Sequence, residues 1–323
     1  MKPRRWGLGL ALLLVAAVGV ALLARQREVA AALAADRAHR APAATGPGLR
    51  ATWFGVTGVL LDDGQHAIFI DPFLTRPPGL LPLALDREIA PDEARIQAEL
   101  ARAGIRRLDA VLVSHSHYDH GMDAGVVARE TGALLLGSES TLNIGRGAGL
   151  AETQLRRVQP GVPITIGPWR IRFVESRHAG ATGGKPVGEI AAPLRPPAHY
   201  LDYKLGGTYS ILVEHPAGRV LHHGSAGFVP GALQDLRADV VLLGVALIDD
   251  LPAYLREVVD AVGAKRVMPT HWDDFTRGLD QPLQPMPFAV QLSRVYAEVG
   301  AQRPDLEVRS FGLREPVLLL PAR

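Results

Sequence analysis

The sequence contains no cysteine. Disulfides, thiolate zinc sites and a cysteine nucleophile are therefore excluded. The absence suits an oxidising compartment without requiring one. Aromatic residues are scarce, at 6% of the chain, which argues against base stacking as a main business. Neither sign of charge dominates: 35 Lys and Arg stand against 33 Asp and Glu, with a formal net charge of +2. The basic residues are scattered rather than striped, so nothing suggests a nucleic-acid partner. No repeat of the kind that builds solenoids is visible. What is present is a globular composition, 47% hydrophobic and 21% charged over 323 residues, enough for one large domain or two small ones.

The chain begins with a basic cluster, Lys2, Arg4 and Arg5, followed by an uncharged run from Trp6 to Ala24 rich in Leu, Ala and Val. Its length is close to the roughly 20 residues that cross a bilayer. It reads as a signal anchor or a signal peptide over residues 1–25, with the anchor preferred because no small-x-small cleavage site stands directly at its end. The positive-inside rule then leaves the body outside the cytoplasm, anchored to the inner membrane in the periplasm, or secreted if the segment is cleaved. Residues 26–48 read as a linker that ends in a Pro- and Gly-bearing tether. The catalytic body is expected over 49–323.

Within the body, β-rich runs are expected at Ala51–Gly55, Val56–Leu61 and Ala67–Asp71, with Asp62-Asp63-Gly64 turning between two of them. Asp92 and Glu93 open a helix that Gly104 closes. Hairpins are expected around Gly167-Pro168 and Pro216-Ala217-Gly218. Further strands cover 238–245 and 265–269, and helices cover 251–262 and 288–299. The β-rich-then-helical run occurs twice, which suggests two αβ halves split near residue 205. The proline-broken apolar loop 76–85 either packs on the body or is a lid that touches substrate or membrane, and together with the apolar loop 186–201 it favours a lipid-like substrate.

The chemistry concentrates at Ser114-His115-Ser116-His117-Tyr118-Asp119-His120, directly after the apolar run Ala110–Val113. Imidazole and carboxylate are the ligand set for zinc, iron or manganese. His115 and His117 are two apart and face one side of an extended segment, so they can share one metal with His178. Asp119 and His120 can hold a second with His271. Two metals in such an arrangement clamp the attacking and leaving oxygens of a hydrolysis. Asp71 reads as a support behind the histidines or a strand-end cap. Glu175 and Tyr200 are placed near the pocket by position alone, and Asp273 and Asp274 read as helix caps.

His115-Ser116-His117-Tyr118-Asp119-His120 matches the His-x-His-x-Asp-His motif, and with Ile70-Asp71-Pro72 and Pro269-Thr270-His271 the chain resembles the metallo-β-lactamase superfamily from residue 50 to about 320. It looks most like the branch of N-acyl phosphatidylethanolamine phospholipase D-type hydrolases. The resemblance implies a four-layer αβ/βα sandwich, one or two zinc ions (manganese or iron being alternatives), and hydrolysis by metal-bound hydroxide. It implies His115, His117 and His178 at one metal, and Asp119, His120 and His271 at the other. Asp119 would also orient the water or take its proton. One departure stands out. Where the family carries a metal-bridging aspartate, this chain has Leu221-His222-His223-Gly224-Ser225, and Ser225 is neutral. His222 or His223 could compensate. The reading is a hydrolase of a phosphodiester or of an ester or lactone, with the anchor and the apolar loops favouring a lipid-like substrate. The alternative is a mononuclear or non-catalytic member that acts as a binding protein.

Overall fold

The computed structural model describes residues 4–77, 79, 83–180, 186–287, 289, 290 and 292–322, with the side chains of residues 4–12 and 14 outside that description. A long helix, α1 (Arg4–Ala38), precedes the body. The strands and helices then follow as β1 (Gly48–Trp53), β2 (Val59–Asp62), β3 (Ala67–Ile70), β4 (Glu88–Ile89), α2 (Glu93–Arg102), β5 (Ala110–Leu112), α3 (Tyr118–Gly121), α4 (Ala124–Thr131), β6 (Leu134–Gly137) and α5 (Glu139–Gly147). The second part holds β7 (Leu155–Arg157), β8 (Pro163–Ile166), β9 (Trp169–Glu175), β10 (Ala198–His199), β11 (Tyr209–His215), β12 (Gly218–His223), β13 (Val240–Gly244), α6 (Leu251–Tyr254), β14 (Arg266–Thr270), α7 (Leu292–Gln302), β15 (Glu307–Val308) and β16 (Pro316–Pro321).

The strands make two seven-stranded sheets, ordered β16-β1-β2-β3-β5-β6-β7 and β15-β14-β13-β12-β11-β9-β8. Side-chain alternation sorts the layers. Ile68 and Ile70 of β3, Leu61 of β2 and Leu112 of β5 pack inward against Phe173, Ile211 and Val220 of the other sheet. The intervening Phe69, Leu60 and Val111 face outward onto Ile96, Leu100 and Val126 of α2 and α4. On the far side Tyr254, Val258 and Val295 cover the second sheet. The expected four-layer αβ/βα sandwich is therefore present. The change of sheet falls between Arg157 and Pro163, not near residue 205, because β8 and β9 already belong to the second sheet. The last strand, β16, crosses back to pair antiparallel with β1.

Several local expectations hold for the stated reasons. The Asp92 side chain accepts the N–H of Arg95 and caps α2, and Gly104 at φ +70° ends it. The region 251–262 is not one regular helix: α6 passes into a π-helical turn over Leu255–Asp260. The last helix starts at Leu292, and Phe288 lies outside the described residues. Of the 76–85 loop, residues 78 and 80–82 lie outside them, as do 181–185.

The uncharged N-terminal run lies within α1, which continues to Ala38. Among the described residues no helix is long and apolar enough to cross a membrane. The C-terminal half of α1 packs on the body: Ala32 is in the core, and Tyr296 of α7 donates to Asp36 at 3.3 Å. Asp36 also holds Arg40 at 2.6 Å. The segment that follows is tied down, Ala41 N–H to Ser310 and Ala44 N–H to Pro316, both at 2.9 Å.

Candidate metal centre

The parallel strands of both sheets run toward one edge of the sandwich, and the loops leaving their carboxyl ends carry the site, as is general for parallel αβ sheets. Asp71 follows β3, the histidine cluster follows β5, Ser225 follows β12 and His271 follows β14. His178 follows β9, an antiparallel neighbour of β11 that ends at the same edge. Two groups form there, with donor atoms within 4.8 Å of one another in each: His115, His117 and His178, then Asp119, His120 and His271. These are the six residues the sequence grouped, in the same two sets.

Hydrogen bonds assign the tautomers of the first group. Ser114 Oγ donates to Asp71 Oδ2 at 2.6 Å, so at 3.3 Å from His115 Nδ1 it can only accept. The lone pair of His115 is then on Nε2, which is buried and has no hydrogen-bond partner. His117 Nε2 lies 3.1 Å from the Pro186 carbonyl and donates to it, leaving its lone pair on Nδ1. His178 Nδ1 donates to the Ala179 carbonyl at 2.9 Å, leaving its lone pair on Nε2. An orphaned buried imidazole nitrogen beside two more imidazoles is a donor set that a cation of the zinc type completes.

The second group rests on a buried carboxylate. Asp71 accepts from Ser114 N–H at 2.6 Å, from Thr57 Oγ1 at 2.9 Å and from His120 Nδ1 at 2.9 Å. That contact turns the lone pair of His120 Nε2 toward His271 Nε2, 3.3 Å away. Asp119 Oδ2 is 3.6 Å from each of these nitrogens. Ligands at about 2.0–2.1 Å around a tetrahedral ion stand roughly 3.3 Å apart, so this triangle also fits a metal.

The charges follow the same logic. Burial, then the neighbouring imidazoles, hold His115 well below the ordinary histidine value. Burial and then His120 push His271 down to about 4. Burial works against a charge on His120, but Asp119 and Asp71 outweigh it and raise its pKa. Asp119 and Asp71 are themselves lowered, the histidine charges overcoming their desolvation.

The remaining candidates sort clearly. Asp71 is the support beneath His120. Ser225 lines the cleft, and its Oγ accepts the N–H of Ala179 at 2.8 Å. His223 and His222 join neither group. His223 Nε2 donates to Gly227 at 2.9 Å, and its Nδ1 accepts from Ser210 at 2.7 Å. His222 Nε2 donates to the Thr57 carbonyl at 2.9 Å. These bonds brace the strand end. Tyr200 lines the cleft; Glu175 does not.

Asp273 is not a helix cap. It is buried, paired with buried Arg76 at 2.6 Å, and accepts the N–H of Val56 at 2.7 Å. The Val56 carbonyl in turn takes the N–H of His271 at 2.6 Å. Arg76 passes so close to Gly55 that a Cβ there would overlap its guanidinium. Val56, Asp71 and His271 have φ of 48°, 47° and 55°, conformations costing on the order of 1–3 kcal/mol each for non-glycine residues. The signal in the sequence was Gly55-Val56 beside a lone Arg76, too slight to read. Asp274 instead caps the next turn, accepting Thr276 Oγ1 at 2.7 Å.

Both groups open on a cleft of about 600 Å³ lined by Tyr118, Tyr200, Leu201, Leu247, Phe275 and Met286 among others. No Lys or Arg lines it among the described residues.

With this geometry in view, the relatives are informative. The family described as beta-lactamase superfamily domain matches residues 66–272. A UPF0173 metal-dependent hydrolase of Myxococcus xanthus is 27% identical over 245 residues, covering 74% of this chain and 76% of that protein. Another from Pyrobaculum islandicum is 26% identical over 231 residues, covering 69% and 84%. Among solved structures, the metallo hydrolase Igni18 of Ignicoccus hospitalis has a TM-score of 0.53 at 17% identity, covering 83% of this chain and 97% of that one. An isothiocyanate hydrolase from Delia radicum gut bacteria has 0.54 at 14%, covering 84% and 99%. CmlA, a diiron β-hydroxylase from Streptomyces venezuelae, has 0.53 at 15%, covering 85% and 55%. These three share the fold.

Proposed function

This chain belongs to the β-lactamase superfamily, and we propose that, as a metal-dependent hydrolase of that fold, it cleaves an ester or lactone bond, or a phosphodiester, in a lipid-like substrate. The observation that carries the reading is the pair of converging donor sets on the wall of one apolar cleft. A bound metal would supply Lewis-acid polarisation and a lowered pKa for the attacking water. His115, His117 and His178 would hold one ion, and Asp119, His120 and His271 the other.

The protein's own groups then do three things. Tyr118, Tyr200 and Phe275 flank the substrate and exclude bulk water. Asp119, held anionic, stands on the cleft wall where it can orient the attacking water and accept its proton. Asp71 and the Asp273–Val56 link hold His120 and His271 in place. Among the described residues the lining offers no Lys or Arg to a phosphate, which favours a neutral ester or lactone over a phosphodiester.

The test is metal analysis of the purified protein, followed by generic ester, lactone and phosphodiester substrates with zinc, manganese or iron. Tight binding of one or two transition-metal ions with hydrolysis supports the reading. No bound metal, and no change in stability with chelator, would remove it. Ser225 favours a second version of the same site, in which only the three-histidine group is filled tightly; a stoichiometry near one distinguishes it.

We place the body at the outer face of the inner membrane, held there by α1. The basic start of the chain and the exposed Leu13, Val15 and Val20 on α1 support this.

A further inference from the structure

Arg25 of α1 donates to the Pro285 carbonyl at 2.6 Å. The strap that carries Pro285 supplies Met286 and Ala289 to the cleft wall. The Ala289 carbonyl takes the N–H of Leu247, at the cleft mouth, at 2.8 Å. The point where the apolar part of α1 leaves the body is therefore one strap away from the mouth.

On the N-terminal side of that point Val15, Val18, Val20, Leu22 and Leu23 are all exposed. Their spacing distributes them around the helix rather than on one face, and a helix that is apolar all round needs apolar surroundings. The mouth is apolar in the same way. Leu85, Val187, Leu201 and Leu247 are 56%, 58%, 45% and 38% exposed. Leu201 and Leu247 line the cleft itself. Leu85 follows Leu83 and Ala84 of the lining, and Val187 follows Pro186, whose carbonyl holds His117. Single exposed apolar side chains are ordinary. Four gathered at the opening of a catalytic cleft, beside a helix of the same character, form a patch of the kind that meets a partner. Leu247 is held outward at φ 59°, a conformation a leucine adopts only when its surroundings impose it.

We propose that the cleft mouth is an interfacial face. Leu85, Val187, Leu201 and Leu247 seat it on a phospholipid bilayer at the level where α1 enters the lipid, and an amphiphilic substrate reaches the two donor groups from the lipid phase. This rests on the hydrolase reading and on the anchoring by α1, and adds to them the direction of substrate entry. The continuity of the apolar helix with the apolar mouth selects lipid over a protein partner.

The absence of cysteine makes the test direct. Leu85→Cys, Val187→Cys and Gln65→Cys each give the full chain a single thiol for an environment-sensitive fluorophore. Gln65 is exposed in the turn before β3, at the end of the sheet away from Asp71. After reconstitution in phosphatidylcholine vesicles, the labels at 85 and 187 are expected to be blue-shifted and quenched several-fold more by brominated acyl chains than the label at 65. Equal quenching at all three positions would overturn the proposal. So would a blue shift at 85 and 187 that needs no vesicles and grows with protein concentration, which would assign the rim to a second copy of the chain. Hydrolysis of water-soluble esters by the unlabelled protein is read separately, so failure of the interfacial face and failure of the hydrolase reading give different results.

Discussion

At the scale of single residues, Ser225 stands where the family resemblance implies a metal-bridging aspartate. Its hydroxyl accepts the Ala179 N–H, next to His178, and contributes no negative charge to the site. A carboxylate could take the same N–H and still face the second group. Ser225→Asp is therefore expected to tighten the second metal by at least about tenfold, measured by titration calorimetry, while the first binding event is unchanged. Asp273 acts through the backbone. Asp273→Ala strands the buried guanidinium of Arg76 and is expected to cost about 3–5 kcal/mol, read by denaturant unfolding. Asp273→Asn, which keeps the shape, should show the more specific effect of weakened second-site metal binding. His223 carries a pH dependence. Burial first, then His222 against the help of Gly227, puts its pKa near 4, below the unfolded value of about 6.5. Between those values the unfolded chain binds the proton and the folded chain does not. Stability from this residue is complete above about pH 6.5 and is lost as pH falls toward 4, up to about 3 kcal/mol. Unfolding free energies at pH 7 and pH 5 should differ less in His223→Gln than in the parent protein.

Among the elements, the strands delivering the site were the legible part. Ala110–Val113 and the residues before His271 are short apolar runs that stop at polar groups, and the two-residue spacing of His115 and His117 shows on sight that both face one way. The hairpin β8–β9 was legible from Gly167-Pro168, and Gly167 indeed sits at φ +52°. Helix α5 was not. Glu139–Gly147 is rich in Ser, Thr, Asn and Gly, with weak helix propensity; it forms because Leu142 and Ile144 are buried and Ser138 caps it. The Ser138 cap accepts the Thr141 N–H at 3.3 Å, and Ser138→Ala is expected to cost about 1 kcal/mol, read as a lowered Tm. The pairing of Asp273 and the setting of His215 were not legible from local context either. His215 ends a strand beside a Pro-Ala-Gly turn, yet its ring packs on Trp169 at 4.8 Å and meets Asp63 at 3.2 Å. Partners more than a hundred residues away carry no local signal, so buried polar pairs of this kind are invisible along the chain.

For the whole molecule, the site ties two sheets together. Asp71 and the His115–His120 cluster belong to the first sheet's loops, whereas His178, Ser225 and His271 belong to the second's. A metal held by both therefore acts as a cross-link. Metal at about 100 times its Kd is expected to add roughly 2.7 kcal/mol to the unfolding free energy, so a chelator should lower the Tm. His115→Ala should abolish both that shift and hydrolysis.

The pairing of β16 with β1 sets the order in which the protein can be finished. Gly48 lies opposite Pro321, so the first strand of the body waits, unpaired on one side, until β16 has been made. A nascent chain that has made β1 but not β16 carries an open β edge, and such edges recruit other chains. A chain truncated before Pro316 would leave that edge permanently bare, with inclusion bodies the expected product.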